Sequence, residues 1–339
     1  MPIEDGKITS LQKIAAGVPT IKKIFEKDAK QINIICHLGQ PKSADKNFST
    51  ALIAGALMNL LHLRVHPVKV KTEFKSPSLS VCYQIGEKVR LFENLRFDPR
   101  EQTNSAEFAG ELKRLGEVLV LDAFASFHRL HTSVVALQKK LPTYAGLLVE
   151  REVNALFKLV GRAEAPFVAI IGGAKIEDKL PVVEALSKIC KAVLVGGQTA
   201  NAWLSSERPK ADNVYLPTDG VNERGQIVAL DEKSLHDGIY DIGPQTVLLF
   251  KSVLASAKTV FWNGNLGRSE MARFSYGTRE IARYVARLKA EKVVSGGNTA
   301  AVIDELALGE SFDFVSTGGG ATSDFIAGKK MPALELLLK

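Results

Sequence analysis

The sequence is poor in cysteine and has no long hydrophobic run. Its three cysteines, Cys36, Cys82 and Cys190, are widely spaced and form no C-x-x-C pair. This usage argues against disulfide bonds and against a zinc site, and it suits a reducing compartment. No apolar stretch approaches the roughly 20 residues that cross a bilayer, and Met1–Asp5 lacks the character of a signal peptide. We therefore expect a cytoplasmic protein that has no membrane partner.

Runs of like charge and aromatic residues are also scarce. The net charge is +7, from 44 basic and 37 acidic residues, and aromatic residues make up only 7% of the chain. Long blocks of like charge are absent, whereas nucleic-acid-binding proteins usually have dense basic patches, often with stacking aromatic side chains. Small anionic ligands explain the excess charge better. A nucleic-acid-binding role is therefore the least favoured hypothesis, and we expect no nucleic-acid partner.

Two common phosphate-binding signatures are missing, since neither G-x-x-x-x-G-K-[ST] nor G-x-G-x-x-G occurs.

The chain of 339 residues is long enough for two domains. Short apolar runs alternate with helical stretches along it, which predicts an α/β protein with parallel sheets. The spacing predicts helices at 20–27, 49–61, 105–115 and 145–161. It predicts strands at 31–36, 89–92, 118–121, 167–171, 192–195, 259–262, 292–294 and 312–315.

The stretch Pro166–Lys179 combines a strand, a glycine turn and the start of a helix. This order places free backbone N–H groups and the positive helix end at one point, which favours phosphate binding. A tight turn with solvated lysines is the plainer interpretation of one such stretch. Glycine turns, however, follow all five predicted strands of the second half, as expected of a nucleotide-binding domain.

Cationic side chains follow three predicted strands of the first half, namely His37, Arg96, and His128 with Arg129. Ligands of open parallel sheets bind beyond the carboxyl ends of the strands. A small phosphorylated acid would suit these cations. One cationic half-site and one glycine-rich half-site together suit phosphoryl transfer, which needs mainly positioning and charge neutralisation.

Motifs that run along the chain in order carry a family resemblance. They are D-G-K-I-T at 5–9, H-L-G-x-P at 37–41, E-N-L-R-F at 93–97, D-A-F-x-x-x-H-R at 122–129, G-G-A-K-x-x-D-K at 172–179, D-I-G-P at 241–244, W-N-G at 262–264 and S-T-G-G-G-A at 316–321. Over essentially the whole chain they resemble the phosphoglycerate kinase family. The resemblance implies two Rossmann-like domains with mainly parallel sheets, joined by a helix, that close like a hinge. It also implies reversible phosphoryl transfer between 1,3-bisphosphoglycerate and ADP, giving 3-phosphoglycerate and ATP, with Mg²⁺, in glycolysis.

The predicted domain limits follow from the resemblance and from the apolar spacing before Pro166. We expect an acid-binding domain at 1–145, a connecting helix at 146–161, a nucleotide-binding domain at 162–330 and a tail at 331–339. The family opens with a strand that ends in R-V-D-x-N-x-P, and Met1-Pro2 falls on the last two positions of that motif. We therefore expect the first strand to be missing, through real truncation or an internal start site. A monomer is expected.

Carried over by position, the resemblance assigns three groups of residues. The acid would be held by His37, Leu38, Gly39, Gln40, Arg96 and Arg129. The nucleotide would be bound by Gly173, Lys179, Gly196, Gly197, Asn263, Glu270, Gly296, Gly297, Asn298 and Thr299. Transfer would depend on Lys13, Lys175, Gly297 and Gly319, and Asn298 would meet the metal. Plainer explanations exist: His37 could cap a strand, the two arginines could form surface ion pairs, and Glu270 could favour a helix start. We expect His131 to be structural.

Several positions depart from the family pattern. Lys13 and Gln40 stand in place of arginines, and Asn298 stands in place of a metal-binding aspartate. Gln198, Asn265 and Ser269 differ as well. Because a charged hydrogen bond is worth roughly 1.5–3 kcal/mol, these losses support a second hypothesis. In it, the chain is a catalytically impaired relative that binds nucleotide or a protein partner.

Overall fold

The computed structural model describes residues 3–4, 7–8, 11–63, 67–204, 211–230 and 239–339. Residues 5, 6 and 9 of the D-G-K-I-T motif, and Met1-Pro2, lie outside the described residues. The chain divides into two compact units, one up to Arg151 together with Met331–Lys339, the other Glu152–Lys330. Within the described ranges, no helix is both long enough and apolar enough to cross a membrane.

Among its described residues, the first unit contains short strands and four α-helices that lie wholly within it. The strands are β1 (Ile3–Glu4), β2 (Lys7–Ile8), β3 (Ile32–Ile34), β4 (Val68–Lys71), β5 (Val81–Ile85), β6 (Val89–Phe92), β7 (Leu119–Leu121) and β8 (Thr143–Ala145). The helices are α1 (Gln12–Phe25), α2 (Ala51–Leu60), α3 (Ala106–Lys113) and, at the C-terminus, Pro332–Leu337. Another helix, α4 (Leu147–Arg162), begins in this unit and ends in the second.

The main sheet of the first unit has the order β3–β6–β5–β4. β3 and β6 run parallel, whereas β5 is antiparallel to both of its neighbours. The parallel pair places the turns after β3 and β6 at one edge, as predicted from sequence. β7 and β8 form a separate parallel pair, and β1 pairs with β2.

Helices α1 and α2 cover the main sheet of the first unit. Val18, Ile53 and Leu57 pack against Ile85 and Leu91 in one buried cluster. α1 begins at Gln12, earlier than the predicted start at residue 20, and it contains Pro19 in its interior. Proline lacks the N–H that an internal helical position would donate, so local sequence argued for a later start. The apolar contacts of α1 with the sheet outweigh that local preference.

The second unit alternates strands and helices. Its strands are β9 (Phe167–Ile171), β10 (Ala192–Val195), β11 (Val214–Tyr215), β12 (Asp219–Val221), β13 (Ile227–Ala229), β14 (Asp241–Ile242), β15 (Thr259–Asn263), β16 (Glu291–Ser295) and β17 (Phe314–Ser316). Its helices are α5 (Ile176–Ser187), α6 (Gly197–Leu204), α7 (Pro244–Leu254), α8 (Tyr276–Ala286), α9 (Gly297–Glu305) and α10 (Gly320–Ile326). The C-terminal helix of the first unit is α11.

Six parallel strands form the central sheet of the second unit, in the order β11–β10–β9–β15–β16–β17. The register aligns the last residues of five strands, because Val195, Ile171, Asn263, Ser295 and Ser316 are successive partners across the sheet. All five glycine turns therefore leave the sheet at one edge, which we call the glycine edge. The α/β fold with mainly parallel sheets, predicted from sequence, is confirmed.

Buried apolar residues on both faces anchor this sheet. Val168, Ile170 and Trp262 belong to one cluster with Phe250 of α7 and Ile281 of α8. Strands buried on both faces are expected of a parallel sheet covered by helices. This packing fixes the strand ends, and it thereby fixes the positions of the glycine turns.

Candidate active site

The turns after β3 and β6 are tied together by the side chain of Asn94. Its Oδ1 accepts the backbone N–H groups of Leu38, at 3.2 Å, and of Arg96, at 3.1 Å. Its Nδ2 donates to the carbonyl of Leu38 at 2.5 Å. Asn94 is fully buried, so these bonds satisfy an amide that would be costly to leave unpaired. The result is a rigid double turn that carries His37 and Arg96.

Arginine and histidine side chains cluster beside that double turn. We call His37, Arg96, His128, Arg129 and His131 the cationic patch. Arg96 is half-buried and donates to the carbonyl of Gly39, and Nε of Arg129 lies 3.2 Å from Nε2 of His128. Burial and the nearby charge of Arg129 lower the pKa of Arg96. The structure thus brings together His37, Leu38, Gly39, Arg96 and Arg129, all of them predicted to hold the acid.

His131 lies at the buried side of the cationic patch. Its ring packs edge-on against that of His37, with centroids 5.1 Å apart. Burial, together with His37, Arg96, Arg129 and His128, lowers the pKa of His131 to about 4. His131 is therefore neutral at neutral pH, because burial and the positive charges of Arg96 and Arg129 disfavour its protonated form. Clustered positive charges of this kind attract a multiply charged anion.

Two predicted residues of the first unit lie apart from these contacts. Lys13 is exposed in the first turn of α1, and Gln40 is exposed at the end of the turn that begins at His37. Both side chains face solvent, so neither is needed to build the cationic patch.

Backbone hydrogen bonds connect the glycine turns of the second unit to one another. Gly172 N–H donates to the carbonyl of Asn263 at 3.0 Å, and Gly173 N–H donates to that of Asn265 at 2.8 Å. The hydroxyls of Thr199 and Thr299 extend this network, donating to Gly173 carbonyl and accepting from Gly264 N–H, both at 3.0 Å. The turns after β9, β10, β15 and β16 therefore form one connected surface.

Helices begin directly at this surface. α6 starts at Gly197, α9 at Gly297 and α10 at Gly320, and Gly296 and Gly319 precede the last two. The first N–H groups of a helix have no partner within the helix and carry its positive dipole end. Asn298 and Gly297 are exposed in the first turn of α9. The glycine edge thus presents backbone donors suited to phosphate oxygens.

Two lysines differ sharply in their surroundings at the start of α5. Lys175 is exposed and occupies the N-cap position, whereas the ammonium group of Lys179 donates to Oδ1 of Asn263. Burial, and repulsion from Lys175, lower the pKa of Lys179 to about 8, against the opposing effect of Asp178. Repulsion between the two shows that they share a region, as their spacing predicted. A phosphate would relieve that repulsion.

Glu270 lies in a different setting from the one we considered. It is exposed in a turn that precedes a 3₁₀ turn at Ala272–Phe274, whereas α8 begins at Tyr276. The helix-start explanation of Glu270 is therefore wrong, because a further turn intervenes. Nearby, Nδ2 of Asn265 donates to the hydroxyl of Ser269, so these two departures from the family pattern contact each other.

Asp241 is a buried carboxylate beneath the glycine edge. It is fully buried and accepts the N–H groups of Gly277, at 2.8 Å, and Ile242, at 2.9 Å. Burial raises its pKa from 3.8 to about 7, because the cost of desolvating the charge exceeds the effect of the backbone donors. Asp241 therefore binds its proton more tightly in the folded state than in the unfolded chain.

This difference in proton affinity predicts a pH-dependent stability. The stabilisation from a raised pKa is full below about pH 4 and is lost as the pH rises to about 7. Asp241→Asn cannot ionise, so its unfolding free energy should rise relative to wild type across that window. Both tryptophans, Trp203 and Trp262, are buried in the second unit, so urea unfolding followed by fluorescence measures this unit. A difference that stays constant with pH would contradict the prediction.

Sequence reasoning missed one buried acid in the cationic patch. Glu101 accepts hydrogen bonds from Ser133 and pairs with His37 Nε2 at 2.7 Å. In sequence it is one charge within P-R-E-Q, with no periodic or motif signal. Only the tertiary structure reveals the contact between His37 and Glu101, because the two residues are 64 positions apart in the sequence.

Comparison with known proteins decides the family. A sequence model of the phosphoglycerate kinase family matches residues 1–213 and 198–329. A phosphoglycerate kinase of Thermomicrobium roseum is 36% identical over 372 aligned positions, covering 100% of this chain and 94% of that relative. The chain belongs to the phosphoglycerate kinase family. A phosphoglycerate kinase of Thermus thermophilus is 35% identical over 371 positions, covering 99% of this chain and 94% of the relative.

Solved structures of phosphoglycerate kinases share the fold. That from Coxiella burnetii has a TM-score of 0.81 and 30% identity, covering 100% of this chain and 93% of that one. That from Pyrococcus horikoshii has a TM-score of 0.83 and 29% identity, covering 99% and 93%. The family resemblance inferred from the ordered motifs is therefore confirmed.

Proposed function

We propose that this member of the phosphoglycerate kinase family catalyses reversible phosphoryl transfer between 1,3-bisphosphoglycerate and ADP. The observation that carries the proposal is the presence, in one chain, of a cationic patch and a glycine edge with two lysines. An acyl phosphate and a nucleotide are both anions. The patch supplies charged side chains for the first, and the edge supplies backbone donors for the second.

The acid end would be held by the cationic patch. His37, Arg96 and Arg129 would neutralise the phosphate and carboxylate, because all three lie in or beside the double turn. Leu38 and Gly39 would contribute through their backbone, which Asn94 and Arg96 hold in place. Gln40, exposed at the same turn, would offer a neutral hydrogen bond.

The nucleotide would lie along the glycine edge. Gly173, Gly196 and Gly197 would line the base, since each lies where β9 or β10 turns into a helix. Lys179 and Asn263 would meet the phosphates as a preformed pair. The remaining nucleotide contacts would come from Glu270, Gly296, Gly297, Asn298 and Thr299.

Transfer itself would depend on charge stabilisation, because phosphoryl transfer needs little covalent help from the protein. Lys175 would follow the moving phosphoryl group, as its exposed position at the start of α5 allows. The backbone N–H groups near Gly297 and Gly319 would stabilise the equatorial oxygens. Lys13 would take the place that the family gives to an arginine.

Magnesium would reach the glycine edge as a ligand of the nucleotide. In the described part of the second unit, no three His, Cys, Asp or Glu side chains converge on a metal position. Magnesium typically keeps several waters and binds substrate phosphates with few protein carboxylates. Asn298, exposed at the start of α9, would add one neutral amide oxygen. When bound, the ion would neutralise phosphate charge.

Replacing Asn298 with aspartate should strengthen magnesium-dependent ADP binding. A carboxylate is a better magnesium ligand than an amide, so we expect affinity to rise by roughly tenfold, as for one charged hydrogen bond. Calorimetric titration of ADP with and without Mg²⁺ measures the effect. Affinity without the metal should change little, and equal affinity of both proteins for MgADP would remove position 298 from the metal site.

The function is tested by a coupled assay of ATP formation from 1,3-bisphosphoglycerate and ADP. The relatives' identity over the full chain favours the enzyme over the impaired-relative hypothesis. Turnover above background supports the proposal. Calorimetric ADP binding without turnover would instead support a non-catalytic scaffold.

We also propose that the protein works in the cytoplasm as a monomer in glycolysis. Its three cysteines are unpaired thiols, two of them buried, which suits a reducing compartment. The domain limits remain a proposal: the compact units divide at Arg151–Glu152, inside the predicted connecting helix, and residues 331–339 belong to the first unit. Size-exclusion chromatography with light scattering tests the oligomeric state.

A further inference from the structure

Glu101 is a fully buried carboxylate at the centre of the cationic patch. It ends the 3₁₀ turn Pro99–Glu101 and has no exposed surface. Oε1 accepts from the hydroxyl of Ser133 at 2.7 Å, and Oε2 accepts from the backbone N–H of Ser133 at 3.1 Å. A buried charge is tolerated only with such partners. The Glu101 carboxylate is therefore held in a fixed position beside the cationic patch.

The contact between Glu101 and His37 fixes the state of the imidazole ring. Nε2 of His37 lies 2.7 Å from Oε1 of Glu101. Because donors from Ser133 converge on the same carboxylate, we assign Glu101 as the acceptor and place a proton on Nε2 of His37. Nδ1 is then the ring nitrogen left for a ligand, and it donates to an anion when the ring is protonated. A carboxylate that holds one imidazole nitrogen commonly sets the orientation of the other.

The same carboxylate organises the segment that carries the other cations. Nδ1 of His131 lies 3.9 Å from Oε1 of Glu101, and the negative charge of Glu101 raises the pKa of Arg96 against burial and Arg129. Ser133 lies in the helical turn Thr132–Ala136, which follows Arg129 and His131 in the chain. Glu101 thus joins the turn of His37 to the segment of Arg129.

A counter-charge alone would weaken the binding of an anion by repulsion. Any acid close to the patch could reduce the repulsion between its cations, but it would not need two specific hydrogen-bonded partners. The geometry therefore favours a role in placement over a role in charge balance.

We propose that Glu101 is a positioning residue, whose buried carboxylate holds His37 and the 131–133 segment so that the cationic patch matches 3-phosphoglycerate. This inference rests on the proposed function, because that function identifies the ligand. Because its side chain has no exposed surface, Glu101 would not contact the ligand itself. It acts through His37 and Ser133.

Two variants separate placement from charge. Glu101→Gln keeps the shape and removes the charge, whereas Glu101→Asp keeps the charge and withdraws it by one methylene. Positioning predicts that both weaken 3-phosphoglycerate binding by about tenfold or more, as expected for a lost charged hydrogen bond, while ADP binding stays within about twofold of wild type. In the assay, the KM for 3-phosphoglycerate should rise more than kcat falls. Calorimetry measures both affinities without turnover.

The matched control is Asp219→Asn in the second unit. Asp219 is also buried, and it accepts from Thr246 and Gln245 at the start of α7. Its loss should lower stability without changing 3-phosphoglycerate affinity. If either Glu101 variant fails to fold, Ser133→Ala removes one bond to Oε1 and should weaken binding by about threefold; unchanged binding would count against the proposal.

Three outcomes would overturn the proposal. Glu101→Gln could bind 3-phosphoglycerate as wild type does. Glu101→Asp could restore full affinity, which would leave charge alone as the cause. In the free protein, NMR should show a slowly exchanging His37 Nε2–H signal that Glu101→Asp removes by withdrawing the acceptor, and its absence from wild type would also overturn the proposal. If wild type binds no 3-phosphoglycerate, the proposed function fails, and the NMR signal alone decides whether Glu101 positions His37.

Discussion

Replacing Lys175 with alanine should abolish measurable turnover and leave the second unit folded. Lys175 is exposed at the N-cap of α5, and its side chain makes no capping hydrogen bond, so its loss should cost little stability. The other lysine of this region, Lys179, is tied to Asn263 and has a pKa of about 8. Lys175 is therefore the better placed of the two to follow a phosphoryl group as it moves.

The expected magnitude follows from the role of a cation in phosphoryl transfer. Removing a group that stabilises charge only in the transition state lowers kcat by roughly a thousandfold or more. The coupled assay measures kcat, and calorimetry should show ADP binding weakened far less than turnover. Lys188→Ala is the matched control, because Lys188 is an exposed lysine at the other end of α5. A fully active Lys175→Ala protein would remove this residue from the mechanism.

Replacing Gly264 with alanine should disrupt the glycine edge. Gly264 has a φ of +99°, and an added Cβ would lie 2.1 Å from the carbonyl oxygen of Gly172 and 2.5 Å from its carbonyl carbon. Those are backbone atoms, so no side chain can rotate away to make room. The turn after β9 would have to move, which would break the bonds that Gly172 and Gly173 donate to Asn263 and Asn265.

We expect Gly264→Ala to lower the unfolding free energy of the second unit by about 2–5 kcal/mol, from backbone strain and overpacking together. Tryptophan fluorescence during urea unfolding measures this unit, since Trp203 and Trp262 both lie in it. ADP affinity should fall with it. Gly161→Ala in α4, where an added Cβ meets nothing within 4 Å, should be neutral or slightly stabilising. If the urea midpoint of Gly264→Ala equals that of wild type, the turns after β9 and β15 can separate without loss of stability, and the prediction is wrong.

The local elements of the second unit were predictable from the sequence. Strands β9, β10 and β15 are short, buried and mostly apolar, and each is followed directly by a glycine. The apolar run and the glycine lie within a few residues of each other in the sequence. The first unit was less predictable. Pro19 favours a later start of α1, but the contacts of Ile14 and Val18 with the core hold the helix together.

Local sequence predicted some features of the glycine edge and of the cationic patch but not others. Turns that must avoid a Cβ require glycine wherever they occur, so the glycine turns at Gly172 and Gly264 could be predicted from the sequence alone. Local sequence did not indicate which strands are neighbours in the sheet. β9 pairs with β15, which follows it by about ninety residues, and only packing of the whole sheet makes them adjacent.

The sequence by itself determined the fold class, the family, the glycine turns and the cations that follow β3, β6 and β7, because each depends on residue types within a short span of chain. Tertiary structure alone decided that Glu101 reaches His37, that Lys179 pairs with Asn263, and that Glu270 lies outside a helix. Hydrogen bonds between distant residues depend on strand order and register. Those are set by the burial of apolar side chains throughout each unit, which no local pattern records.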